Sequence, residues 1–386
     1  MNILNSIREK LQHYRIQYAS IIKSASFSEN IIKGVYRTYV NHEKVIAWVD
    51  GCPVFTTFSP PALSIVQANM EARNAISRMQ NRKHPNMVNI AVTDKCNCDC
   101  IHCSFTSMKK KRKILSTADF KKVIKDSQDL GVSTITFSGG EPLMNSDLCE
   151  LIKTVHPNLS VSVLFTNGWF LEEKARELKK SGLCSVNVSI DSYDAKKHDV
   201  LRKKKGAFDR AVKGIKASKH EGIITGISSS VSREHVKEGE IHQIIELGKT
   251  LKVNEVIFFD YVPTGNLTNR KDLLGKQEWT DEIIKIADKY NKRYDYPGIT
   301  VYSHIKSHRG MGCAGGSTFF YVSPYGDVCP CDFNPTVLGN ILDEPLELIW
   351  NRMITSKEYM HSSFGGCRMQ DTKFRKNSSG KIRMQQ

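Results

Sequence analysis

Four cysteines fall within eight residues, at Cys96, Cys98, Cys100 and Cys103, directly after the apolar run Met87–Thr93. No other feature restricts the chain as much. The spacing Cys96-x3-Cys100-x2-Cys103 puts three thiols on one short loop. Three thiolates cannot complete a tetrahedral structural zinc site. They can hold three irons of a 4Fe–4S cube and leave the fourth iron open to a ligand. Cys98 breaks that spacing and is expected to point elsewhere. The chain has 11 cysteines in 386 residues, too few for a small disulfide scaffold. The N-terminal stretch interleaves charges with apolar residues, so it does not read as a signal peptide, and no apolar run is long enough for a transmembrane helix. The expectation is a cytoplasmic protein whose cysteines are thiols or ligands.

From residue 87 apolar strands and amphipathic helices alternate. The strand candidates are Met87–Thr93, Val132–Phe137, Ser160–Phe165, Ser185–Ile190, Ile223–Ser229 and Glu255–Tyr261. Helices are expected at Ser116–Leu130, with Ser116 as N-cap, and at Ser146–Val155, Leu171–Ser181, Phe208–His220, His242–Leu251 and Glu278–Tyr290. Six such units indicate an α/β fold with a parallel sheet, right-handed crossovers and its chemistry at the carboxyl ends of the strands. Before them lie an amphipathic helix over residues 3–22, a β-meander over 35–57 (Val35–Val40, Val45–Val49, Pro53–Thr57) and a helix over 62–80. This unit reads as a cap on the following domain, with leader-peptide binding as the alternative. After residue 300 a Gly/Cys-rich hairpin spans Gly310–Asp332 and a helix spans Glu344–Met353.

The formal charge is +16, concentrated in Lys109–Lys113 and Arg202–Lys205. These runs read as solvated surface. An acidic peptide or phosphorylated molecule is the alternative partner, and no specific nucleic-acid partner is inferred, because no RNA-binding or zinc-finger signature accompanies them.

The cysteine loop, followed by Ser138-Gly139-Gly140-Glu141-Pro142, Thr166-Asn167-Gly168 and Ser189-Ile190-Asp191-Ser192 at three successive strand ends, resembles the radical S-adenosylmethionine superfamily. The resemblance covers roughly residues 87–295. It implies a partial (β/α)6 TIM-like barrel and an enzyme. Cys96, Cys100 and Cys103 would carry the catalytic 4Fe–4S cluster bound to S-adenosylmethionine. Gly139, Gly140 and Glu141 would take the methionyl amino group. His102, Thr166, Ser189, Asp191, Ser230 and Arg233 are further cofactor-binding candidates, with Ser189 and Asp191 for the ribose and Ser230 and Arg233 for ribose or carboxylate. The backbone at Tyr261–Pro263 would meet adenine.

Cys313, Cys331 and Cys367, in the contexts Gly326-x4-Cys331, Gly339-Asn340-Ile341 and Gly365-Gly366-Cys367-Arg368, resemble the SPASM/Twitch extension, which holds auxiliary iron–sulfur clusters. Ile354, Lys357 and Ser363 stand where a full set would have further cysteines, so one auxiliary cluster is expected, with Cys329 as a possible fourth ligand. A four-thiolate zinc site is the alternative. Cys52, Cys149 and Cys184 read as core residues. The expected divisions are residues 1–84 (cap or recognition unit), 85–300 (radical core), 301–372 (auxiliary domain) and 373–386 (basic disordered tail). The resemblance implies reductive cleavage to a 5′-deoxyadenosyl radical, hydrogen-atom abstraction from a substrate, and a flavodoxin- or ferredoxin-type electron donor. Maturation of a ribosomally made precursor peptide is the first expectation for the substrate. Small-molecule, cofactor, sugar or lipid biosynthesis is the second. A non-catalytic iron–sulfur or electron-transfer protein is the alternative of another class.

Overall fold

The computed structural model describes residues 36–37, 40–80, 83–274, 278–361, 363 and 365–375. The helix expected over residues 3–22 lies outside them. The described chain begins with a hairpin, β1 (Ala47–Val49) and β2 (Cys52–Val54), and helix α1 (Ile65–Gln80). The alternation that follows is β3 (Met87–Ala91), α2 (Thr117–Leu130), β4 (Thr134–Ser138), α3 (Leu148–Thr154), β5 (Val161–Thr166), α4 (Leu171–Lys180) and β6 (Ser185–Ser189). It continues through α5 (Ala195–Arg202), α6 (Ala207–His220), β7 (Ile224–Val231), α7 (Arg233–Lys237), α8 (Glu240–Thr250) and β8 (Glu255–Asp260). The chain then runs through α9 (Trp279–Asn291), β9 (Gly298–Val301), α10 (Tyr302–Ile305), β10 (Phe319–Val322), β11 (Asp327–Cys329), β12 (Gly339–Asn340) and α11 (Leu346–Thr355).

Each of the six expected strands is present, and they pair in parallel in chain order. Nearly all of their residues are buried whichever face they point to, the pattern of a sheet covered on both faces. Ser116 caps α2 as its sequence position suggests: its hydroxyl accepts from Asp119 N–H at 3.2 Å while the Asp119 carboxylate accepts from Ser116 N–H at 3.0 Å.

The sheet is longer than six strands. Its order is β12-β11-β10-β3-β4-β5-β6-β7-β8-β9. β10 lies parallel to β3, Phe319 opposite Met87. The C-terminal cysteine segment thus extends the barrel sheet at its first strand, and the expected hairpin at Gly310–Asp332 is the antiparallel β10/β11 pair. β9 adds a further parallel strand at the other edge.

Two expectations are corrected here. In the strand expected at Val35–Val40 the described residues Tyr36, Arg37 and Val40 are helical instead. Tyr36 and Val40, four residues apart, turn to one side and pack with Phe55 and Phe58, Tyr36 stacking on Phe55 with ring centroids 4.2 Å apart. Residues 373–375, expected in the tail, are ordered. Residues 372–375 are helical, Phe374 packs edge-on to Tyr359, and the Arg375 guanidinium donates to the Thr268 carbonyl at 3.1 Å.

The segment around residues 54–62 plugs the amino-terminal end of the barrel. Glu255 of β8 is fully buried and accepts hydrogen bonds from Thr57 N–H (2.6 Å), the Thr56 hydroxyl (3.1 Å) and the Thr300 hydroxyl (2.6 Å). A buried carboxylate needs such donors. They tie the hairpin to the bottom of the sheet and leave the opposite end open for the site.

Candidate active site and auxiliary cysteine site

One cavity of about 320 Å³ occupies the carboxyl end of the strands. Cys96, Cys100, Cys103, His102, Gly139, Gly140, Glu141, Thr166, Ser189 and Ser230 all line it. Residues more than 130 positions apart meet because each follows a strand of one parallel sheet. Tyr261 and Val262, at the end of β8, line it too.

The cysteine loop is pinned on three sides. Gly140 N–H donates to the Thr93 carbonyl (2.9 Å) and Glu141 N–H to the Lys95 carbonyl (2.8 Å). Ile101 N–H donates to the Leu201 carbonyl (3.0 Å) and Asp99 N–H to the Arg202 carbonyl (3.3 Å). Asn266 donates its side-chain amide to the Cys100 carbonyl at 2.8 Å. The glycines serve this packing. Gly139 has φ +135°, and a Cβ there would lie 2.4 Å from the Thr93 carbonyl oxygen; a Cβ on Gly140 would lie 2.2 Å from that of Lys95. Only a residue without a Cβ lets the two turns touch.

Glu141 differs from its expected use. It is 1% exposed, and its carboxylate accepts from the Thr166 hydroxyl (2.6 Å), Asn167 N–H (2.8 Å) and Leu143 N–H (3.1 Å). Burial raises its pKa to about 7 against the pull of these donors. The carboxylate therefore braces the glycine turn against the Thr166–Gly168 turn, and the Thr166 hydroxyl is engaged in the same brace.

Asp191 is likewise withdrawn. It is fully buried and does not line the cavity. Its Oδ2 lies 2.7 Å from the Arg202 guanidinium and 3.4 Å from His102 Nε2, and its Oδ1 accepts from Ser230 N–H at 3.0 Å. Burial alone would raise its pKa, but Arg202, His102 and His198 hold it down at about 2. His102 is stacked on Tyr261 (5.4 Å between centroids), and burial lowers its pKa to about 4, so the imidazole is neutral at pH 7.

Arg233 is not brought to the site. It opens the short helix α7, exposed and away from the cavity lining; the helical turn puts His235 and Val236 inward instead. Cys98 also departs from expectation, because it points into the cavity and accepts from the Asn167 amide at 3.5 Å.

The sequence reading missed Arg202, counted there among surface lysines. It is 9% exposed, lines the cavity, and donates toward Cys100 Sγ at 3.7 Å. The signal was Asp194, whose side chain caps α5 by accepting from Lys197 N–H at 2.8 Å and so starts a helix that runs into the basic run and ends at Arg202. The other basic run is partly paired: Lys110 and Arg112 lie 2.8 and 3.1 Å from the buried Asp327. Asp260, Tyr302, Asp332 and several phenylalanines, also missed, form the deeper wall.

A second, small cavity of about 10 Å³ is lined by Cys313, Cys331 and Cys367 with Tyr359 and Arg368. The three cysteines thus border one common space, about that of one water. Arg368 donates to the carbonyls of Cys313 (3.1 Å) and Gly315 (3.0 Å) and holds the segments together. Burial pushes the Cys367 thiol up to about 12, with the Lys306 ammonium opposing. Cys329 does not reach this cavity. On β11 it packs with Ala91, Phe105, Met108 and Tyr321. Lys306, buried and 2.9 Å from Asp260, lies between the two cavities, and Gln370 donates to the same Asp260 carboxylate at 3.1 Å.

Both donor sets suit iron–sulfur clusters. The first combines three loop thiols with a cavity large enough for a ligand, and the second brings three cysteines, Cys313 and Cys367 buried and Cys331 half-buried, to one small space. Fold and sites together describe an iron–sulfur protein on a partial parallel barrel. Residues 90–248 match the Radical SAM superfamily, and residues 313–379 match the SPASM iron-sulfur cluster-binding domain. The chain is a radical S-adenosylmethionine enzyme with a SPASM domain, which uses a 4Fe–4S cluster with S-adenosylmethionine and auxiliary iron–sulfur binding. It is similar to the AdoMet-dependent heme synthase of Methanosarcina barkeri (29% identity over 73% of this chain and 88% of that one). It is also similar to the antilisterial bacteriocin subtilosin biosynthesis protein AlbA of Bacillus subtilis (25%, 75% of this chain and 65% of that one). Its fold matches that of Streptococcus suis SuiB, solved bound to precursor peptide SuiA, with TM-score 0.60 and 18% identity over 78% of this chain and 77% of that one. Among the described residues no helix is long and apolar enough to cross a membrane.

Proposed function

We propose that the enzyme modifies a side chain of a ribosomally made peptide, with Cys96, Cys100 and Cys103 as ligands of the catalytic cluster and Cys313, Cys331 and Cys367 as ligands of one auxiliary cluster. The cavity carries this reading. Its 320 Å³ lies near the lower end of the range for a single drug-sized ligand. A cavity of that size favours a single side chain presented at its mouth over a whole macrocycle taken inside. When bound, the cluster and S-adenosylmethionine supply a 5′-deoxyadenosyl radical that takes a hydrogen atom from the substrate.

The chain's own residues bind, orient and exclude water. Ser189, Ser230 and the backbone at Tyr261 and Val262 offer polar contacts to the cosubstrate at the open end. Phe58, Phe165, Phe259, Tyr302 and Phe319 make an apolar floor, with Phe259 and Tyr302 at 4.7 Å. Such a floor keeps water from a carbon radical and fits an apolar target group. Asp260 and Asp332 are acidic groups of the deeper wall, and burial raises Asp332 to about 6. Electrons would come from a flavodoxin- or ferredoxin-type donor.

The 29% identity to heme synthases supports a second reading, a tetrapyrrole substrate. The test is anaerobic reconstitution with S-adenosylmethionine and dithionite. Formation of 5′-deoxyadenosine is expected. Stimulation by the peptide encoded beside the gene, and not by an iron porphyrin, supports the peptide reading; the reverse result replaces it with the tetrapyrrole one.

A further inference from the structure

We propose that Arg202 is a positioning residue for the catalytic cluster: its guanidinium, anchored by Asp191, hydrogen-bonds the sulfur of Cys100 and favours the reduced cluster. The proposal rests on the assignment of Cys100 as a cluster ligand. The observation behind it is a buried three-part chain. Asp191 is fully buried and fixed by Ser230 N–H. Its Oδ2 lies 2.7 Å from one terminal nitrogen of Arg202. The other terminal nitrogen of Arg202 points at Cys100 Sγ, 3.7 Å away. A buried guanidinium must be paired, and a single carboxylate uses only one side of its fork. The remaining side is spent on sulfur.

The backbone repeats the connection. Asp99 N–H, next to Cys100, donates to the carbonyl of Arg202 itself. One residue thus fixes the loop through its main chain and the sulfur through its side chain. Lys203, the next residue, contrasts with it: exposed, it pairs at 3.1 Å with the exposed Asp99. Reduction adds one electron from a low-potential one-electron reductant, with no bond made or broken, and makes the cluster more negative. A cationic donor on a ligand sulfur stabilises that state, and hydrogen bonds to the sulfurs are among the factors that set cluster potentials.

The experiment uses full-length, anaerobically reconstituted protein and its Arg202→Met, Arg202→Lys and Asp191→Asn variants. Iron content is measured first. The midpoint potential of each cluster is then followed by EPR-monitored titration with dithionite, without S-adenosylmethionine, so that a contact to the cosubstrate cannot contribute. The catalytic cluster is expected to shift to more negative potential in Arg202→Met. A smaller shift of the same sign is expected in Arg202→Lys, which keeps charge without the fork; Asp191→Asn removes the anion that offsets the guanidinium, so its catalytic cluster should move to less negative potential. The auxiliary cluster should not move. An unchanged catalytic potential in iron-replete Arg202→Met overturns the proposal, and so does an equal shift of both clusters, which marks general distortion. If Arg202→Met does not load iron, unchanged potentials in both other variants overturn it. Absence of 5′-deoxyadenosine from the wild-type protein would instead refute the enzyme reading, a separable outcome.

Discussion

The two cysteine sites are built in opposite ways. The first is contiguous: Cys96–Cys103 is one loop, pinned by backbone hydrogen bonds and beside a cavity of about 320 Å³. The second is dispersed: Cys313, Cys331 and Cys367 come from three segments and face a space of about 10 Å³. Their electrostatics differ in the same sense. The Cys98 thiol proton, with help from Arg202, lowers Cys100 to about 6, whereas burial pushes Cys367 up to about 12. A loop that keeps its ligands together can afford an open side for a cosubstrate. A dispersed set is closed by the fold that assembles it, which suits holding charge rather than binding a ligand.

The largest effect that could break this comparison is loss of a loop ligand. Cys100→Ser should remove about four irons per chain and abolish 5′-deoxyadenosine formation, read by iron assay and chromatography. Cys331→Ser should instead remove the auxiliary iron while 5′-deoxyadenosine formation stays within about tenfold of wild type and modified product is lost. Equal losses in both variants would mean the sites do not act separately.

Gly140→Ala tests the pinning of the loop. The new Cβ would sit 2.2 Å from the Lys95 carbonyl oxygen, so a cost of about 1–3 kcal/mol is expected in denaturant unfolding, with weakened S-adenosylmethionine binding.

Glu141 gives a pH signature. Its folded pKa, about 7, lies above its ordinary value of 4.5, so the folded state holds the proton more tightly. Stability should fall as pH rises from about 4.5 to 7 and level off above that, by up to about 3 kcal/mol. Glu141→Gln should flatten that slope in unfolding experiments across the same range. The smallest effect belongs to the basic run. Arg112 is half exposed, so Arg112→Ala should cost about 0.5 kcal/mol or less, erased by salt.

Much of this was legible beforehand. The six parallel strands and the capped helix at Ser116 follow from periodicity, and the convergence of Cys96, Cys100, Cys103, Gly139–Glu141, Ser189 and Ser230 was implied by the family resemblance of the strand-end motifs. What escaped was direction. Arg233 and Asp191 both follow strands, yet one turns to solvent and the other is buried behind His102 and Arg202 of the cavity wall. Arg202 looked like the start of a lysine run because charge spacing carries no sign of which face a helix end buries. Cys329 is two residues from Cys331, a spacing that a continuous strand would put on one face; β11 ends at Cys329 and the chain bends at Pro330, so the two side chains meet different surroundings.

The sequence by itself determined the chemistry available: three thiols on one loop, glycines at the next strand end, and a second cysteine group beyond the barrel. Those are local matters of spacing and residue type. Only the tertiary structure decided which polar groups meet the cavity and which support it. Glu141, Asp191 and Arg202 brace, anchor and reach toward sulfur because burial forces each charge to find a partner, and the partners lie up to 102 residues apart in the chain.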